Sequence, residues 1–386
     1  MRFSWDLRAA DTGWAVFLVL DALASLPLLQ DLHLRCWSVP APSWQLQRLP
    51  HIVNFSFTCD WELDYDCSTI MPVARFLDWN QPRLKTLSIV NRRFYAHTNI
   101  QLSLDDFLSE IPDSAFLNIT HLSLSGLFVK LDATLILHLR SLISLHIENI
   151  FSTGDLVSGN PGSSTGNIWS SLRLENIHLQ EIVTDDVQLT FIEYLTSFSG
   201  LRRLRLTRAS RYTMTPLESD QLAITFYGRA LQNHVHSLES LEIDARYEGK
   251  WCFADHCSSI IKQCACLTSL KLSIHSKDVR EEKEEDEDGD EDGDDVVAVV
   301  DDGDDDSDDD SDDDEEDSPP GGGNCNAVVC FHFMTSRTLL NLLVVTFGHL
   351  RTSTCFKNSW IIQRFSRIHS RGQVWDIRCY APCLDK

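Results

Sequence analysis

The sequence predicts an α/β fold in which strand–turn–helix units stack in a row. Their strands form a parallel sheet on a concave face, and their helices lie on the convex face behind it. Three observations lead there. A short phrase, apolar–x–x–apolar–x–apolar, recurs nine times; helix-like segments stand between its copies; and the copies begin 23–37 residues apart, room for a strand and a helix in most units. Self-similarity at such a period marks a repeat array, and an array grows in one direction by stacking each unit on the last.

The elements are expected in the following order. Residues 1–28 read as a helical lead-in or N-terminal cap. Trp14–Leu20 is apolar and Ala22–Leu23–Ala24 resembles a signal-peptidase site, but Asp6 and Asp11 precede the run and Asp21 closes it after seven residues, which favours a helix. The array then covers 29–276, with phrase copies at Leu29–Leu34, Ile52–Phe57, Leu84–Ile89, Ile119–Leu124, Leu142–Ile147, Trp169–Leu174, Leu201–Leu206, Leu238–Ile243 and Leu267–Leu272. In each copy the apolar residues point inward and the residue between the last two points out, as period-two alternation requires. Between copies, 105–111, 132–139, 185–198 and 218–235 each open on Asp or Glu and carry apolar residues three and four apart, the pattern of an amphipathic helix entered at its positive end. Residues 152–167 are a Gly/Ser/Asn loop. Residues 277–324 are expected to be a disordered acidic insertion, because such a composition cannot bury enough surface to fold. Leu339–Val344, within 325–350, reads as a degenerate last repeat, and 351–386 is an irregular tail.

These phrases resemble leucine-rich repeats of the ribonuclease-inhibitor-like type. CACLTSLKL (Cys264–Leu272) is similar to their cysteine-containing subfamily, in which a Cys ends the helix three residues before the first strand Leu. The irregular spacing and helical backs are similar to the repeat regions of fungal F-box proteins. The resemblance implies a leucine-rich-repeat solenoid, or horseshoe, that recruits a protein partner, with a ubiquitin-ligase adaptor as a further partner. Leu26-Pro27 leads directly into a strand phrase, however, and no F-box is recognisable ahead of it.

Charge locates rather than defines the function. The net charge is −24, yet 281–317 hold 26 Asp or Glu and one Lys, leaving 32 Lys or Arg against 31 Asp or Glu elsewhere. The array is near neutral, which argues against nucleic acid as a partner, since phosphate binding needs a basic footprint. No stretch reaches the 18 apolar residues of a membrane span. The 12 cysteines are scattered without a disulfide frame, so reduced thiols and a cytoplasmic or nuclear location are expected.

The outward positions nominate a partner-binding ladder: His33, Ser56, Ser88, Ser123, His146, Arg173, Arg205, Glu242 and Lys271. Arg173, Arg202, Arg203, Arg205, Arg208 and Arg211 form an Arg-rich patch suited to carboxylate or phosphate recognition. Ser307 and Ser311, each with an acid three residues on, are phosphorylation candidates. The acidic stretch, reaching about 35 Å as a coil, is expected to be able to fold back on the Arg patch. A second reading makes 281–317 a histone-binding or chaperone-like acidic segment.

Several enzyme-like or ligand-like patterns are set aside. Gly162–Gly166 fits G-x-S-x-G, but no strand or helix is expected beside it. Cys252, His256, Cys257, Cys264 and Cys266 lack the spacing of a known zinc site. Asp288–Gly293 begins like a calcium loop, but its twelfth position is Val299 rather than Glu. The sequons at Asn54 and Asn118 fall in or beside expected strands. The expectation is therefore a non-enzymatic scaffold with no cofactor and no metal.

Overall fold

In the computed structural model, residues 1–8, 11, 13–37, 44–60, 70–92, 102–112, 115–150, 166–209, 214–245, 247–274, 327–332 and 378–380 are described. The chain is α/β. Ten parallel strands run in sequence order: β1 (Arg2–Leu7), β2 (Asp31–Cys36), β3 (Asn54–Cys59), β4 (Thr86–Asn91), β5 (His121–Ser125), β6 (Ser144–Glu148), β7 (Glu181–Thr184), β8 (Arg203–Leu206), β9 (Ser240–Ile243) and β10 (Ser269–Ile274). Two antiparallel strands extend the sheet beyond β10: β11 (Ala327–His332) and β12 (Arg378–Tyr380).

Alternation explains the layering. In β2, β3 and β4 every second side chain is buried, and its neighbours face solvent. The buried set makes two continuous rows. One row runs Leu32, Phe55, Leu87, Leu122, Leu145, Ile182, Leu204, Leu241, Leu270; the other runs Leu34, Phe57, Ile89, Leu124, Ile147, Thr184, Leu206, Ile243, Leu272. Burial of each such aliphatic side chain contributes roughly 1.5–3 kcal/mol before entropy is counted.

Against these rows pack α1 (Gly13–Ala24), α2 (Met71–Asn80), α3 (Leu104–Leu108), α4 (Gly166–Leu174), α5 (Leu189–Thr196), α6 (Pro216–Thr225) and α7 (Asp255–Gln263), with 3₁₀ turns at Leu46–Arg48 and Leu135–Leu139. The caps follow the local sequence. Ser103 accepts from the Asp105 N–H at 3.2 Å while Asp106 reaches back to the Ser103 N–H at 2.9 Å. Thr215 and Glu218 make the same reciprocal pair ahead of α6, where Pro216 opens the helix.

The helix expected over 132–139 is a 3₁₀ turn at Leu135–Leu139, and two further elements of the array differ in kind from the sequence expectation. Trp169–Leu174 is not a strand but the body of α4. Its buried residues, Ile168, Trp169 and Leu172, are spaced for a helix, and Leu174, the last apolar residue of the phrase, is 75% exposed. Asn176 ends this helix with φ 52°, so that Ile177 N–H reaches Leu172 O at 2.9 Å and Asn176 N–H reaches Arg173 O at 3.2 Å, a Schellman stop. The strand of this unit is β7, built on Leu179, Ile182 and Thr184. Secondly, a strand, β1, opens residues 1–28, which were expected to be a helical lead-in or N-terminal cap. Phe3, Trp5 and Leu7 continue the alternation one unit earlier, and α1 follows.

The acidic segment of 277–324 and Leu339–Val344 lie outside the described residues. Beyond β10 the described chain adds β11 in the antiparallel sense, and β12 falls in the expected irregular tail.

Candidate functional site

The face of the sheet away from the helices is open. One residue per strand forms its middle row: Ser4, His33, Ser56, Ser88, Ser123, His146, Val183, Arg205, Glu242 and Lys271, each the register partner of the next. With neighbouring strands about 4.8 Å apart, the row covers about 40 Å of sheet. Arg173 is not in it. It sits on α4, where Nη1 bonds Glu193 Oε2 of α5 at 2.7 Å, and Val183 holds its expected place. Ser4 and Val183 are the members sequence reasoning missed, because the phrase copy at the N-terminus lacks its first apolar position and that of β7 carries Thr184 in its last.

The row divides by charge. Over β3–β6 it is uncharged or carries histidine, and it is flanked by Asn54, Thr58, Thr86, Ser125 and Ser144, all half-buried on the same face. Ser123 Oγ lies 3.3 Å from His146 Nδ1, and His146 Nε2 lies 3.3 Å from Glu148 Oε2. The bond from His146, with another from Thr207 Oγ1 at 3.1 Å, holds the Glu148 carboxyl below the usual range against the opposing effect of burial.

From β7 onward the face is charged and internally compensated. Arg203 bonds Glu181 at 2.8 Å, Arg205 Nε lies 3.3 Å from Glu242, and Lys271 bonds the other oxygen of Glu242. Arg202 donates from Nε to Glu239 at 2.8 Å. Arg208 is exposed in a left-handed conformation at φ 54°, and Arg211 lies outside the described residues, as do Ser307 and Ser311. The Arg cluster is thus interleaved with Glu181, Glu239 and Glu242, partners distant in sequence that a charge count by segment does not reveal.

At the other end, Arg35 bonds Asp60 through Nε at 2.8 Å, and its guanidinium lies 3.8 Å from the centroid of the Trp37 ring. Burial pushes His33, beside Arg2, below its ordinary pKa. Asn54 of the first sequon bonds Asp31 across the β2–β3 ladder.

The patterns set aside as chemistry are placed as follows. Cys252, Cys257 and Cys264 are buried, and burial raises the thiols of Cys257 and Cys264 to about 11, while Cys266 is exposed. His256 Nε2 contacts Lys250 O at 2.8 Å. Among the described residues no group of three or more His, Cys, Asp or Glu is arranged to hold a metal, and no helix is long and apolar enough to cross a membrane. Ser164 of G-x-S-x-G lies outside the described residues, but a helix does follow that motif, since α4 begins at Gly166. One cavity, lined by Leu122, Leu145 and Leu172, lies in the apolar interior and touches no residue of the row.

What the row offers chemically is an extended, hydrogen-bonding surface. Compared with protein-family models, with curated proteins and with solved structures, the chain matches none.

Proposed function

We propose that this chain is a non-enzymatic protein-interaction scaffold, a leucine-rich-repeat horseshoe of the ribonuclease-inhibitor-like type, which binds a protein partner on the open face of its sheet. The observation that carries this reading is the unbroken register of the middle row, with its floor mostly of Ser, Thr and Asn over β3–β5 between ion-paired ends. Small hydroxyl side chains leave room for a partner's side chains and supply donors and acceptors. The compensated pairs at Glu181 and Glu242 set register and exclude wrong partners more than they add affinity. Near neutrality of the array speaks against nucleic acid in this role.

The narrower form of the reading, drawn from the resemblance to fungal F-box proteins, is a substrate-recognition subunit of an F-box-type ubiquitin ligase. Co-purification with a cullin adaptor separates that form from a generic scaffold.

The test is affinity purification of the tagged chain with mass spectrometry, comparing the wild type with a Ser88→Glu/Ser123→Glu double variant. A protein partner recovered with the wild type and lost from the folded variant supports the reading. A partner set unchanged by the double substitution overturns it.

A second reading rests on the 26 acidic residues of 281–317, which suit a histone-binding or chaperone-like role. Salt-sensitive histone capture, abolished by deleting 281–317, would establish it.

A further inference from the structure

An array whose units bury their faces on one another needs something to cover its first unit. Here the first strand is β1, and among the described residues nothing pairs with its outer edge. The strand has neither proline nor lysine to guard that edge. Behind it, α1 is apolar on nearly every side. Val16, Leu20 and Leu23 enter the core, and Asp21 pairs with Arg48 of the next unit. By helical periodicity the flank away from Arg48 carries Ala15, Leu18, Val19 and Ala22, with Leu18 60% exposed.

The sequence of β1 identifies its own complement. Met1 O accepts from the backbone of Gln30 and Asp31, and Leu7 O accepts from Trp37 N–H, so the odd-numbered residues turn their peptide groups toward β2. In a strand these groups alternate, so Arg2, Ser4 and Asp6 aim theirs at the free edge. A second β1 approaching antiparallel must pair even with even. Two such registers overlap equally; the one that also brings opposite charges together sets Ser4 opposite the partner's Ser4, Arg2 opposite the partner's Asp6, and Asp6 opposite the partner's Arg2.

On the open face that register makes two opposite-charge pairs around a two-fold axis. On the helix side, Phe3 meets the partner's Trp5 at a close-approach position, and Trp5 meets the partner's Phe3. Both rings are only partly buried within one protomer. Cross-strand charge pairs and aromatic pairs are the contacts that stabilise a sheet. A two-fold interface requires a patch complementary to itself, and this hexapeptide, Arg-Phe-Ser-Trp-Asp-Leu, has that property.

We propose that a second copy of this chain covers the N-terminal end of the array, joining the two sheets through antiparallel β1 edges and packing α1 against the α1 of the partner.

The test uses the full chain with any tag at its C-terminus. Analytical ultracentrifugation is expected to show a concentration-dependent dimer. Arg2→Asp sets like charges opposite each other and should raise the dimer Kd at least about tenfold, with an unchanged circular dichroism spectrum. The exchanged variant, Arg2→Asp/Asp6→Arg, restores the opposite-charge pairs and should recover dimerisation, which a misfolded protein would not do. Ser4→Cys places a thiol opposite its own copy, and mild oxidation should join the two β1 peptides by a disulfide between the substituted positions, read by mass spectrometry. A wild-type monomer at 100 µM, on the order of a hundredfold above a micromolar Kd, overturns the proposal. So does a dimer indifferent to both charge variants and lacking that crosslink.

Discussion

Thr184 of β7 stands opposite Leu206 of β8, in the buried row that the neighbouring strands fill with Ile147, Leu206 and Ile243. It is fully buried there, and its hydroxyl accepts the Asp186 N–H at 3.0 Å. Thr184→Val keeps the shape and removes that acceptor. The added methyl offsets only part of an unsatisfied buried N–H, so a net loss of about 1 kcal/mol is expected in urea denaturation.

The two readings of Trp169–Leu174 separate cleanly by mutation. In α4, Trp169 is buried against Phe191 and Tyr194, with ring centroids 4.7 and 5.5 Å away, whereas Leu174 is exposed. Trp169→Ala should cost about 3–5 kcal/mol and Leu174→Ala less than about 0.5 kcal/mol. A strand would have made both costly. Chemical denaturation midpoints of the two variants decide it.

His234 gives a pH dependence with a definite sign. Its Nδ1 faces the Leu201 N–H at 3.4 Å and its Nε2 faces Leu195 O at 3.1 Å, the arrangement of a neutral ring. Burial lowers its pKa from 6.5 to about 4, and the bond to Leu195 opposes that shift. Between those values the unfolded chain holds the proton and the folded chain does not. Stability from this group is complete above pH 6.5 and is lost as pH falls toward 4, by roughly 3 kcal/mol at most. The difference in urea midpoint between wild type and His234→Phe should therefore narrow from pH 7 to pH 4.5.

Arg205 and Lys271 share one carboxylate, that of Glu242. Glu242→Gln leaves both cations on the open face without their common partner. Affinity for an acidic peptide should then rise severalfold at low ionic strength, and the gain should fade at about 0.15 M salt. Fluorescence anisotropy with a labelled poly-aspartate peptide reads both effects. Deleting 281–317 from that variant should raise the affinity further if the segment folds back and competes for the same cations.

The legible part of the fold was the part written in period two. Eight phrase copies coincide with β2–β6 and β8–β10, and the outward row follows from them. The sixth copy was misleading because W-x-x-L-x-L satisfies a strand pattern while Ile168, Trp169 and Leu172 satisfy a helix equally well. The arbiter was Asn176 followed by apolar Ile177, a helix-stop signal. Thr184 hid the true strand by placing a hydroxyl where the phrase demands an apolar side chain. The charge pairing of Arg203 with Glu181 and of Arg202 with Glu239 spans 22 and 37 residues, and only the strand register brings those side chains together. Tyr194 and His234, buried groups that receive the backbone N–H of Leu179 and Leu201 ahead of β7 and β8, carry no sequence signature at all.

The coincidence of strand order with sequence order bears on how the chain can be made. As synthesis proceeds from the N-terminus, each new parallel strand finds the earlier strand it pairs with already in place, and among the described residues no strand before β10 must wait for one not yet translated. Assembly can keep pace with the ribosome, so the apolar rows need be bare for only one unit at a time.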